Sequence, residues 1–330
     1  LEDLFEQRIW ELNAPVRNRL GCLFDGRGEP FEVYGLLSEF LSEKGKLLRP
    51  ALCLSSCGAV GGRVEDAAPA ASAIEMFHNF TLIHDDIEDC SAMRRGRPCL
   101  HVKYGVPLAL NAGDGLFMMV WRETLRLSGE RREAVQERLL GAFTRVLEGQ
   151  ARELGWYQKD RWDVGIDEYF QVIGGKTGAL ISVSCEAGAM VGGAHENTCA
   201  ELAAFGQEIG VGFQIIDDAL NIGGDEKKYG KEIGGDIREG KRTLLTIYAL
   251  ENLQVGKGRA LRAILKKKNK SHGDVHSAVR LIKEAGAVEH AAKTADGIVG
   301  RALGRLDALP EGEHKKTLAG LAKYITRRER

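Results

Sequence analysis

Proline is scarce: the chain has seven, and none lies between Pro107 and Pro310. About two hundred residues therefore run without the residue that breaks helices most severely. Strand-like alternation of apolar and polar residues is not evident, which argues against a sandwich or barrel and for an all-α fold. No excess of either charge exists, 46 basic against 47 acidic residues, so no global field draws the chain to nucleic acid or an anionic membrane. The seven cysteines (Cys22, Cys53, Cys57, Cys90, Cys99, Cys185, Cys199) show neither CxxC nor zinc-type spacing and read as reduced thiols. No apolar run approaches the ~20 residues that span a bilayer, and no charged-then-apolar leader opens the chain. These absences lead us to expect a soluble, cytoplasmic protein. Because Leu1 is not an initiator methionine, targeting is not read from that end. With no linker-like composition shift and no short repeat, a single domain over residues 1–330 is expected.

What is present fits a helical core. Apolar residues recur at three- and four-residue spacing through Ala71, Ile74 and Phe77, with Leu82 beyond them, and again through Leu202, Phe205, Ile209, Phe213 and Ile216. Glycines gather in pairs at 61/62, 174/175, 192/193, 223/224 and 234/235, where helices are expected to end or bend. The charged, glycine-rich stretch from Gly223 to Arg242 reads as a long mobile loop, and Lys266 to Lys270 with the following Ser-His-Gly as a solvated turn.

Two acidic clusters carry the chemistry. In LIHDDIEDCSAMRRGRP, Asp85 and Asp89 are four apart and share a helix face, with Asp86 turned about 100° away. Like charges at that spacing repel and call for a cation. Hard carboxylate oxygens suit Mg²⁺, which completes its octahedron with water and substrate phosphate. Downstream, FQIIDDALN repeats the arrangement with Asp217 and Asp218, with Asn221 at the third position. Two such faces could oppose each other across a bundle and hold a diphosphate through metal ions. A lone DDxxD is weakly specific, since a solvated helix face produces it too. Here both clusters follow apolar runs, where unpaired carboxylates are costly.

The ordered blocks GKLLRP (45–50), HNFTLIHDDIED with RRG (78–96), NAGD (111–114), GQARE (149–153), GGKTGAL (174–180), GFQIIDDALN (212–221) and GKEIGGDIREGKRTL (230–244) resemble the trans-polyprenyl diphosphate synthases. That family includes the farnesyl and geranylgeranyl diphosphate synthases, and the resemblance covers nearly the whole chain. It implies one large helical bundle of the isoprenoid synthase type with a central active-site cavity. It also implies a homodimer that condenses isopentenyl diphosphate with an allylic diphosphate (dimethylallyl, geranyl or farnesyl) to a C15–C25 product. By this resemblance Asp85 and Asp89 bind two Mg²⁺ ions and Asp217 a third, assisted by Asp86 and Asp218. Arg94, Lys176 and Lys241 contact the allylic diphosphate, and Thr177 and Gln214 line the reacting region. Lys46, Arg49, His78 and Arg95 hold isopentenyl diphosphate, while Lys227, Lys228 and Lys231 belong to a lid.

The tail of the growing product is expected to run along the first acidic helix, away from the metals. Phe80, five residues before Asp85 and about 7.5 Å along the helix, would form its floor, with Thr81 small and Phe77 a second floor. An aromatic at the fifth place only resembles archaeal-type geranylgeranyl synthases and points to a C20 product. Asn221 and Glu153 stand where many members carry Asp, and Asn221 is expected to weaken or shift metal dependence. Rival readings are a class I terpene cyclase, which needs no second cationic pocket; a head-to-head synthase, whose acidic spacing is DxxxD; and a non-catalytic regulatory subunit, in which one acidic motif is eroded.

Overall fold

The computed structural model describes residues 2–26, 28–42, 45–224 and 233–326. Lys227, Lys228 and Lys231 lie outside the described residues. The fold is all-α, as expected, apart from one short hairpin among the described residues.

The chain divides into two compact units. The first comprises Leu1–Gly141, Val183–Ala203 and Ala308–Leu318. It contains α1 (Glu2–Leu12), α2 (Ala14–Gly21), α3 (Phe31–Leu41), α4 (Leu48–Ala59), α5 (Val64–Glu88), the strands β1 (Met93–Arg94) and β2 (Arg97–Pro98), α6 (Leu100–Tyr104) and α7 (Val106–Thr124). Its centre is α5, packed on α4 and α7. From Ala67 to Phe77 every residue of α5 is buried, as expected of a helix apolar on all sides. Five alanines in that stretch let its neighbours approach closely.

The second unit comprises Ala142–Ser182, Ala204–Asp307 and Ala319–Arg330. Helices α8 (Arg132–Gln158), α10 (Ala179–Val191), α11 (Glu196–Gly223) and α17 (Glu313–Thr326) give residues to both units. Wholly within the second lie α9 (Ile166–Ile173), a π-turn at Gly174–Gly178, α12 (Gly235–Glu239), α13 (Leu244–Asn252), α14 (Val255–Leu265), α15 (His272–Glu284) and α16 (Ala287–Arg305). Its core gathers Tyr169, Ile215, Leu245, Leu261, Ile282 and Ala291. No described helix is long and apolar enough to cross a membrane.

All five glycine pairs mark helix ends or bends: after α4, at the π-turn, after α10, at the end of α11 and at the start of α12. The turn after α14 ends at Ser271, whose hydroxyl accepts the Asp274 N–H while Asp274 accepts the Ser271 N–H, a reciprocal cap that starts α15.

Of the stretch from Gly223 to Arg242, residues 225–232 lie outside the described residues, and the described remainder is partly helical rather than loop. Gly223 closes α11, α12 covers Gly235–Glu239, and Gly234 N–H donates to Asn221 O at 2.7 Å. Among its described charges, Lys241 lies 3.2 Å from Asp236. The Arg242 guanidinium lies 3.9 Å from the Trp162 ring centre and donates to the carbonyls of Arg161 and Gly240.

Candidate active site

In the first unit, α5 ends by turning Cys90 left-handed (φ 51°). Cys90 N–H donates to Ile87 O and Ser91 N–H to Asp86 O, satisfying the last carbonyls of the helix. The chain then forms the β1–β2 hairpin, whose two central residues, Arg95 and Gly96, both have positive φ (49° and 79°). That is the two-residue turn compatible with strand twist. It returns Arg94 to α5, where Nη2 and Nε reach Asp86 Oδ1 at 2.6 and 2.7 Å. Asp86 is 2% exposed, and Asp85 is half-buried and Asp89 exposed on the same helix end. Burial opposes the Arg94 charge, but the Asp86 carboxylate holds its pKa above the ordinary arginine value.

The cations assigned to isopentenyl diphosphate converge in the same unit. A Cβ at Gly45 would lie 3.4 Å from Arg95 Nη2 and 3.6 Å from Glu75 Oε1. The half-buried His78 imidazole is pushed well below its usual pKa of 6.5 by burial and by the charges of Arg49, Arg95 and Arg94. It is therefore neutral at pH 7. Arg49 Nε is buried without a hydrogen-bond partner among the described residues. Beneath this group lies Glu75, buried on α5 and raised in pKa by that burial against the opposing pull of Arg49 and Arg95. Asn79 donates to its carboxylate at 3.3 Å.

One turn before the acidic motif, Phe80 and Phe77 are buried, with ring centres 5.5 Å apart. Phe117 on α7 closes the group at 5.1 Å from Phe80 and 6.1 Å from Phe77, and His84 lies 4.5 Å from Phe80. Thr81 is half-buried and its hydroxyl donates to His78 O at 2.8 Å.

In the second unit, Asp217 is half-buried and Asp218 is 5% exposed. Tyr169 Oη donates to Asp218 Oδ2 at 2.7 Å and Gln214 Nε2 to Oδ1 at 2.9 Å. Gln214 Oε1 accepts the Thr177 hydroxyl at 2.9 Å, so Thr177, Gln214, Asp218 and Tyr169 form one chain of hydrogen bonds. Burial and then the charge of Asp236 push the Asp218 carboxyl up to about 8. Thr177 and Lys176 sit on the π-turn, a geometry frequent at functional sites. The turn fits because Gly149 on α8 has no side chain; a Cβ there would lie 2.6 Å from Lys176 N.

Lys176 Nζ donates to Glu153 Oε2 at 2.7 Å, and Tyr157 Oη to Oε1 at 3.0 Å. Burial acts to raise the Glu153 carboxyl, but Lys176 holds it below the ordinary range. Lys241 Nζ lies 3.2 Å from Asp236 and 3.0 Å from Glu239. Against the lowering effect of burial, those carboxylates keep its pKa well above the usual lysine value.

A model of the polyprenyl synthetase family matches residues 32–282. The chain belongs to the polyprenyl synthetase family. It is accordingly a prenyltransferase. It is 40% identical over 291 residues to the short chain isoprenyl diphosphate synthase of Methanothermobacter thermautotrophicus, with 86% of this chain and 87% of the relative covered. Its fold superposes on the geranylgeranyl pyrophosphate synthetase of Pyrococcus horikoshii with a TM-score of 0.93, at 34% identity and 99% coverage of each chain. A geranylgeranyl pyrophosphate synthase from Corynebacterium glutamicum, solved with isoprenyl diphosphate and magnesium, gives a TM-score of 0.84 at 27% identity, with 98% of this chain and 99% of that one covered.

The polyprenyl synthetase site here differs in detail from the sequence expectation. Asn221 is buried, and its Oδ1 accepts the Asp236 N–H at 3.0 Å while its own carbonyl takes Gly234 N–H. This neutral residue joins α11 to α12. Asp236, brought beside Asp217 and Asp218 by that joint, was not singled out from the sequence because it lies in a stretch read as a loop. Glu75 and Phe117 were missed too. The signal for Glu75 was present, as the one acid between Asp66 and Asp85 in an otherwise apolar helix. Among the described residues no three His, Cys, Asp or Glu side chains converge to hold a metal ion alone. The carboxylate donors present suit Mg²⁺, which takes one or two protein acids and the rest of its shell from water and phosphate.

Proposed function

We propose that this prenyltransferase condenses isopentenyl diphosphate with an allylic diphosphate and releases geranylgeranyl diphosphate, C20. The observation that carries the reading is the cationic cluster of Arg49, Arg95 and neutral His78 beside Lys46. A site handling a single prenyl diphosphate, as in a terpene cyclase, has no use for that second anion pocket. Lys46, Arg49, His78 and Arg95 hold the isopentenyl diphosphate.

Asp85, Asp89 and Asp217 would hold three Mg²⁺ ions, assisted by Asp86 and Asp218, and those ions would neutralise the departing diphosphate. Arg94, Lys176 and Lys241 add fixed positive charge around it. When the allylic C–O bond breaks, its electron pair leaves with diphosphate. Gln214, oriented by Asp218, and the π-turn carbonyls near Lys176 and Thr177 face the allylic cation with partial negative charge. The double bond of isopentenyl diphosphate attacks C1 of the allyl group, and the C2 proton passes to the released diphosphate. Phe80, backed by Phe77 and Phe117, limits the tail, with Thr81 leaving room beside it.

The reading takes residues 1–330 as one catalytic domain, since the family match runs unbroken through both units. It also makes the protein a cytoplasmic homodimer. An exposed apolar row on α7, Val106, Leu110 and Met118, followed by Leu125, supports the dimer. The test is incubation of the purified chain with labelled isopentenyl diphosphate and each short allylic primer, with and without Mg²⁺, followed by sizing of the products. Mg²⁺-dependent incorporation ending at C20 is expected. Turnover of a primer without isopentenyl incorporation would select the cyclase, and no turnover of any primer the regulatory subunit.

A further inference from the structure

We propose that Asn13, at the junction of α1 and α2, is a positioning residue for the isopentenyl diphosphate pocket, acting on the backbone between Lys46 and Arg49. The inference rests on the reading that those two cations hold isopentenyl diphosphate. Among the described residues four non-glycine positions have positive φ: Leu47, Cys90, Arg95 and Asp160. Two of them, Leu47 and Arg95, lie within or beside the cationic cluster. Arg95 is accommodated by its hairpin turn. Leu47 has no such turn: it sits at φ 49° and ψ 40° immediately before α4, a conformation that a side chain with a Cβ resists.

Among the described residues one side chain hydrogen-bonds the Leu47 backbone. Asn13 Nδ2 donates to Leu47 O at 3.1 Å, and the same carbonyl accepts Ala51 N–H from the first turn of α4, also at 3.1 Å. Asn13 is itself fixed from both sides, its N–H on Ile9 O and its carbonyl taking Arg17 N–H. It is 1% exposed, and its Oδ1 is buried without a partner among the described residues. A buried amide satisfied at one end is unfavourable for stability, and an apolar residue would suit the burial better. The bond it does make therefore has a use beyond packing: it sets the direction in which the chain enters α4, and with it the backbone that carries Lys46 and Arg49. Strain held by an over-determined neighbour is characteristic of binding loops.

Two readouts test this, one independent of catalysis. In Asn13→Ala the amides of Leu48, Arg49 and Ala51 are expected to exchange with deuterium about tenfold faster than in the parent. The KM for isopentenyl diphosphate is expected to rise roughly five- to tenfold, while that for the allylic substrate stays within about twofold. Adding Leu47→Gly, which adopts the left-handed conformation freely, is expected to bring the isopentenyl KM back to within about threefold of the parent. If Asn13→Ala does not fold, Leu47→Val supplies the same test, because a β-branched residue resists that conformation more strongly and is expected to raise the same KM. Unchanged exchange at residues 48–51, or a parallel rise in both KM values, would overturn the proposal. A parent enzyme that incorporates no isopentenyl diphosphate would instead refute the proposed function, and the exchange measurement would still decide whether Asn13 holds the segment.

Discussion

Among the described residues Asp86 and Asp218 are the aspartates that the fold buries, and each is given polar partners: Arg94 for the first, Tyr169 and Gln214 for the second. A helix turns about 100° per residue, so the residue after Asp85 or Asp217 points inward when its neighbour points out. The sequence made the spacing of the acids plain, but not their partners. Arg94 was legible as a cation near the motif, yet its bond to Asp86 depends on the positive φ of Arg95, which no local pattern announces. The aromatic floor was half legible: Phe80 and Phe77 lie on the motif helix itself, whereas Phe117 arrives from α7 and has no signal in the first motif. Phe80→Ala is expected to lengthen the product beyond C20, read by sizing the labelled products; an unchanged distribution would remove Phe80 as the floor. His78 carries a pH signature. Its folded pKa is depressed below 6.5, so the folded state binds fewer protons than the unfolded one just below that value. The stability it allows is complete above about pH 6.5 and is lost as the pH falls below it. His78→Gln is expected to flatten that slope, measured as the change in urea midpoint between pH 7 and pH 5, and equal slopes in the two proteins would contradict the assignment.

The helices were the most legible elements, because no proline interrupts the chain between Pro107 and Pro310 and paired glycines stand where helices stop. The π-turn at Gly174–Gly178 was not. Its two glycines read as a joint, but the widened turn depends on how closely α8 approaches, and that depends on Gly149, some twenty-five residues earlier. Gly149→Ala would place a methyl against the Lys176 backbone and is expected to cost about 1–3 kcal/mol of stability. It should also lower kcat by displacing Lys176 and Thr177; urea unfolding and steady-state kinetics would detect both, and a variant with parental stability and kcat would show that the close packing is dispensable. The described part of the segment after α11, residues 233–242, differs from the loop reading for a related reason. Lysine, arginine and aspartate signal a solvated loop when their partners are unknown, yet Lys241 pairs with Asp236 and Arg242 stacks on Trp162. Asn221, expected to weaken metal dependence, is accounted for by its bond to the Asp236 amide.

For the molecule as a whole, seven ordered blocks located the family before any coordinates did, and the fold agrees over nearly the full length of the Pyrococcus horikoshii enzyme. An exposed apolar row can be told from core only once the helix is packed. Met118 is 56% exposed on α7, and for the proposed homodimer Met118→Lys is expected to lower the mass in light scattering toward that of a monomer; a parental mass in both proteins would contradict an interface on this row. The proposal is that the acids of α5 and of α11 both serve the allylic diphosphate. It is tested most directly by Asp85→Ala and Asp217→Ala, made separately and assayed for Mg²⁺-dependent isopentenyl incorporation. The account expects each to fall by about 10²-fold or more while both variants keep their fold by circular dichroism. Undiminished turnover in either one would contradict it.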